Sequence, residues 1–102
     1  MNDKILSFLG LCKKAGKMTV GADAVKSSLI SGECRLILTA SDISAHTENE
    51  VTYIAEKYNK KVIKLPYTKD ELGIALGRLT AVISVNDGGF ARKLVEMTAQ
   101  IY

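Results

Sequence analysis

The sequence predicts an α/β fold, a three-layer α/β/α sandwich built around a small mixed sheet of about four strands. Three observations predict it. Apolar runs at 35–39, 61–65 and 81–85 read as strands, and a stretch of helical periodicity separates each from the next. Links that contain a helix favour parallel pairing and put helices on both faces of the sheet. Residues 17–20 are too few for a central strand and are expected at an edge. At 102 residues the chain is read as a single domain, 1–102, without repeat, linker or low-complexity tract.

The elements follow in order. Ile5, Phe8, Leu9 and Cys12 fall at helical spacing, with Asn2 or Asp3 as cap and Gly16 at the left-handed C′ position. Ala22, Val25 and Leu29 mark a second short helix that stops near Ser31-Gly32. Arg35 to Thr39 is apolar on both faces, as in a buried central strand. Thr47-Glu48-Asn49-Glu50 fits a capping box and starts a helix carrying Val51, Ile54, Ala55 and Tyr58 on one face. Lys61 to Leu65 is a strand closed by Pro66. Thr68-Lys69-Asp70-Glu71 repeats the box ahead of Leu72, Ala75 and Leu76, and Gly77 ends that helix. Ala81 to Val85 is another buried strand. The last helix begins near Asn86-Asp87 and uses Phe90, Leu94, Met97 and Ile101.

Composition narrows the function classes. Lys+Arg number 14 against 11 Asp+Glu, a net charge of +3, and the distribution is uneven. Residues 1–36 carry Lys4, Lys13, Lys14, Lys17, Lys26 and Arg35 against Asp3, Asp23 and Glu33; residues 42–56 carry four acids and no Lys or Arg. A basic face suits an anionic partner. Cys12 and Cys34 sit in apolar segments and read as buried free thiols. Neither a membrane span nor a signal peptide is visible, so a cytoplasmic protein without membrane attachment is expected.

Catalysis finds little support. His46 is the single histidine and has no evident carboxylate or nucleophile beside it. One His and two distant Cys match no metal-site spacing, and no cofactor is implied. Asp42, Asp70, Glu71 and Asp87 stand where helix caps stand. Gly10 to Gly16-Lys17 is no P-loop, because five residues separate the glycines and Met18 follows the lysine.

Binding chemistry is richer. Gly21 opens a helix, whose start offers unpaired N–H groups and a partial positive charge, and Lys13, Lys14, Lys17 and Lys26 flank it in sequence. Gly77-Arg78-Leu79-Thr80 combines a glycine turn, a cation and an apolar side chain, a set suited to a phosphate and an unstacked base.

Gly16-Lys17-Met18-Thr19-Val20-Gly21, the helix to Leu29, Arg35 to Asp42, Leu72-Gly73 and Gly77 to Val85 together resemble the ribosomal protein L-seven-Ae and L-thirty-e family. Asn86 to Leu94 looks most like its small bacterial members. The resemblance covers essentially the whole chain. It implies a noncatalytic protein that binds structured RNA, ribosomal or otherwise kinked, with ribosome-associated proteins as further partners. In the family the start of the second helix enters the groove opened by a kink-turn, and a loop before the last strand meets the bulge. Carried onto this chain, Lys13, Lys14, Lys17, Lys26 and Arg78 contact phosphates, and Gly21 and Ala22 permit close approach. Asp23 reads a base edge, Ser41 and Asp42 adjoin the site, and Leu79 and Thr80 meet the bulge. Asp23, Ala24 and Ser27 stand where the family has Asn, Glu and Lys. The alternative reading is a protein-interaction module of the same fold whose partner face is the acidic stretch 42–56.

Overall fold

The computed structural model describes residues 3–100, so the expected roles of Asn2 and Ile101 lie outside the described residues. Helix α1 (Lys4–Lys14) leads to β1 (Met18–Val20), α2 (Ala22–Ser31), β2 (Leu36–Thr39), α3 (Ala45–Lys57), β3 (Val62–Lys64), α4 (Lys69–Leu76), β4 (Val82–Val85) and α5 (Gly88–Ala99).

The helix boundaries follow local chemistry. The Asp3 carboxylate accepts from the N–H groups of Ile5 and Leu6 and starts α1. That helix ends in a Schellman turn. Gly16 adopts φ +75°, its N–H donates to Lys13 O, and Lys17 N–H donates to Cys12 O. Thr68 and Glu71 form the expected capping box of α4. Helix α3 differs from expectation: it begins one turn earlier, at Ala45, because the Ser44 hydroxyl accepts from Thr47 N–H. Thr47 therefore lies inside the first turn, and the box read at 47–50 does not form the cap.

The sheet order is β1-β4-β2-β3. β2 and β3 pair in parallel, whereas β4 is antiparallel to both β1 and β2. Thus β1, β2 and β3 share one direction, and β4 runs against them from an inner position. The helix-containing link rule fails at β4 alone. The link through α4 therefore returns the chain to β4 at the end of the sheet at which it left β3.

The inner strands β2 and β4 are buried at every residue. Alternation splits the core in two. Leu36, Leu38, Ile83 and Val85 pack with Ile5, Leu9, Leu72, Leu76 and Leu94 of α1, α4 and α5. Ile37 and Val82 pack with Val25, Leu29, Val51 and Ala55 of α2 and α3. Cys12 and Cys34 are free thiols, one in each half of the core. Burial, with a smaller contribution from Asp87, pushes the Cys12 thiol up to about 11. No described helix is long and apolar enough to cross a membrane.

Candidate functional site

The reversed strand decides what meets what. Gly21 N–H donates to Val82 O (2.9 Å) and Ala40 N–H donates to Ala81 O (2.9 Å). The Gly21 turn, the 40–44 loop and the 77–81 loop therefore share one end of the sheet. At the other end Asn86 N–H donates to Lys17 O (2.8 Å).

At the first end, two sequence-distant clusters come together. A Cβ added to Gly21 would lie 3.5 Å from Nη2 of Arg78, so the guanidinium rests beside the start of α2. Gly21 itself has φ +106°, a conformation that L side chains rarely adopt. It caps α2 without any side-chain hydrogen bond, whereas Asp3, Ser44, Thr68 and Asp87 cap the other four helices. The result is a helix start with uncapped amides, a partial positive charge and a neighbouring cation. Among the described residues Arg78 has no ion-pair partner. Ala22 is half-buried in the first turn, and Asp23 points to solvent beside it.

Next to Arg78, Leu79 is 63% exposed and Ile74 is 86% exposed. With Asp70, Gly73 and Gly77 they line a shallow depression of about 380 Å³. A Cβ on Gly73 would sit 3.3 Å from Leu79 Cα, so that glycine seats the loop against α4. Neither Ile74 nor Gly73 was assigned a place in the site from sequence. The available signal was an isoleucine off the Leu72–Ala75–Leu76 stripe, next to a glycine inside a helix.

Other expected contacts are placed differently. Thr80 is 6% exposed; its hydroxyl donates to Val82 O (2.8 Å) and accepts from Val82 N–H (3.2 Å), which braces the loop from within. Ser41 is exposed, and Asp42 accepts from Lys69 N–H (2.9 Å), tying the 40–44 loop to the start of α4. Lys26 faces Glu50 at 3.7 Å, a half-exposed pair of little energetic weight.

Lys13, Lys14 and Lys17 are exposed but do not join this cluster. They sit at the far end of β1, whose three residues separate Lys17 from Gly21 by four steps of extended chain, roughly 13 Å. The junction that looks compact in sequence is two sites in space. That far end ties its polar side chains to one another. The hydroxyls of Ser28 (2.7 Å) and Ser84 (2.6 Å) both reach Asn86 Oδ1, and Asn86 Nδ2 donates to Thr19 Oγ1 (2.6 Å). With both protons directed at Asn86, the 3.2 Å approach of Ser28 to Ser84 is a contact without its own proton.

The acidic stretch is not a bare anionic face. Glu48 pairs with Lys64 at 3.1 Å, Glu50 with Lys26, and Asp42 with the start of α4. Exposed His46 lies 3.5 Å from Glu50. Among the described residues no cluster of three His, Cys, Asp or Glu is poised to hold a metal ion.

Known proteins resemble this chain in sequence and in fold. The sequence model of the ribosomal protein L7Ae/L30e/S12e/Gadd45 family matches residues 3–95. The chain is 34% identical to RNA-binding protein YlxQ of Bacillus subtilis (strain 168), over 88% of this chain and 90% of that one. It is 35% identical to large ribosomal subunit protein eL30 of Candida glabrata, over 85% of each chain. A solved structure of a protein of unknown function from Bacillus halodurans C superposes with TM-score 0.89 at 30% identity, covering 96% of this chain and 99% of that one. The Giardia lamblia 15.5kD RNA binding protein shares the fold, with TM-score 0.75 at 17% identity over 100% of this chain and 93% of that one.

Proposed function

The chain belongs to the ribosomal protein L7Ae/L30e/S12e/Gadd45 family, and on that premise we propose that it is a noncatalytic ribosomal-type protein that binds kinked, structured RNA. One observation carries the proposal: the only described helix start without a side-chain cap, at Gly21, lies beside the guanidinium of Arg78. Phosphate attracted there meets uncapped amides and a cation together. A-form RNA hides its deep groove, and a kink opens it wide enough for a helix end. Asp23 then faces base edges and can accept from guanine N–H groups, although as a carboxylate it donates nothing. Ile74 and Leu79 offer apolar atoms to an unstacked base. Lys13, Lys14 and Lys17 take phosphates of a flanking stem about one strand length away.

The test compares a kink-turn duplex with the same duplex whose tandem G·A pairs are replaced by Watson–Crick pairs, at physiological salt. A preference of tenfold or more, about 1.4 kcal/mol, supports reading of the kink from the Gly21 end. Equal affinity with a steep salt slope leaves general RNA binding and removes kink recognition. Weak, salt-insensitive binding overturns the proposal.

A further inference from the structure

Helices α1 and α5 pack side by side and leave a groove between them, on the sheet face opposite α2 and α3. Two adjoining depressions of about 460 and 320 Å³ share Lys4, Lys93 and Met97. Phe8 and Met97 form the apolar floor of the smaller, and Leu11, 55% exposed, forms its wall. Among the described residues neither Lys4 nor Lys93 has a carboxylate within ion-pair distance. The one acid lining the groove, Asp3, is engaged by Ile5 N–H, Leu6 N–H and Tyr67 OH.

From this groove we infer a second interaction surface, which docks an acidic amphipathic helix of a partner protein. A trough between two packed helices accepts a third helix, whose apolar residues at i, i+3, i+4 and i+7 fill the floor. Carboxylates at its flanks meet Lys4 and Lys93, so charge selects among apolar helices. Other occupants fit less well. A second copy related by a two-fold axis would face lysine with lysine. Phe8 and Phe90 pack on each other with centroids 5.1 Å apart, so these rings do not stand free to stack on bases. A lipid surface takes up a protruding apolar face, whereas these apolar atoms lie in a concavity. The surface does not depend on the RNA reading, and it lies on the sheet face opposite the helix that Gly21 starts.

The experiment uses the full chain labelled with ¹⁵N and a synthetic helical peptide with Leu at i, i+3, i+4 and i+7 and Glu at both flanks. Amide shifts are expected at Ser7, Leu11 and Lys93, with those of Gly21 and Arg78 unmoved. Leu11→Glu and Lys93→Glu are exposed substitutions that keep the fold, as circular dichroism checks, and each weakens the peptide at least tenfold. A Lys-flanked version of the peptide binds at least tenfold more weakly. The inference is overturned by no shifts at millimolar peptide, by equal binding of the Lys-flanked version, or by shifts confined to residues that do not line the groove. It is equally overturned if phosphatidylglycerol vesicles or a kink-turn duplex, and not the peptide, perturb the groove.

Discussion

The two ends of the sheet use their polar groups in opposite ways. At the Asn86 end, Thr19, Ser28 and Ser84 direct their hydroxyls inward, and Asn86 bonds to all three. At the Gly21 end, the helix start has no side-chain cap, Arg78 has no acid partner among the described residues, and Leu79 and Ile74 stand in solvent. One end uses its chemistry to hold the fold; the other leaves it available to a ligand. On the proposed reading, the groups that hold the fold and those that would meet the kink stand at opposite ends of the four residues of β4.

Substitutions can break that separation or sharpen it. The largest effect is expected from Asn86→Leu, which removes the partner of Thr19 and leaves the Ser28 and Ser84 hydroxyls only each other. A loss of about 3 kcal/mol in urea unfolding is expected, with affinity for kinked RNA unchanged within twofold in the folded fraction. An equal fall in affinity would mean that the two ends are not independent. Gly21→Ala comes next. At φ +106° the strain costs about 2 kcal/mol of stability, and because space beside the Cβ is ordinary, RNA affinity falls through the distorted helix start. Isothermal titration and thermal melts on one sample separate the two losses.

Arg78→Ala is the mirror image of Asn86→Leu. Its exposed guanidinium supports no described salt bridge, so stability should shift by less than about 0.5 kcal/mol. RNA affinity should fall about tenfold, or about 1.4 kcal/mol, with a shallower salt dependence. A stability loss above that limit would show that the loop needs its arginine for folding.

The smallest effect is alkaline. Burial raises the Cys12 thiol from its ordinary 9.0 to about 11, so the folded state disfavours its thiolate. The associated stability is fully present below the unfolded value and fades as pH climbs from there through the folded value. At pH 8 a thiol reagent should label the unfolded chain far faster than the native one, with the Arg78→Ala protein behaving as the unsubstituted one. Rapid native labelling would place an opening near Cys12.

Much of this was legible beforehand, and the exceptions have physical causes. Caps and glycine stops are local, so Asp3, Gly16, the box at Thr68 and Gly77 could be read residue by residue. The start of α3 was missed because Ser44 and Thr47 are both competent caps three residues apart, and sequence does not rank them. For the site, Gly21 and Arg78 were both identified, but their adjacency depends on β4 running backwards, a non-local fact. Lys13, Lys14 and Lys17 stand away from Gly21 for a local reason, the extended run of β1 between them. Thr80 looked available because its hydroxyl is polar; burial against Val82 comes from the turn that follows it.

The inner place of β4 also orders events in time. Val20 pairs with Ile83 and Leu38 also pairs with Ile83, so two of the three strand pairings wait for the last fifth of the chain. A nascent chain released only as far as Ala81 has one complete pairing, β2 with β3, and an edge strand with nothing beside it. Loop closure over more than sixty residues then joins β1 to β4, a long-range step of the kind that slows folding. Synthesis in chain order therefore leaves the Gly21 turn without its Val82 and Arg78 neighbours until more than fifty further residues are made, so that end of the sheet is assembled late.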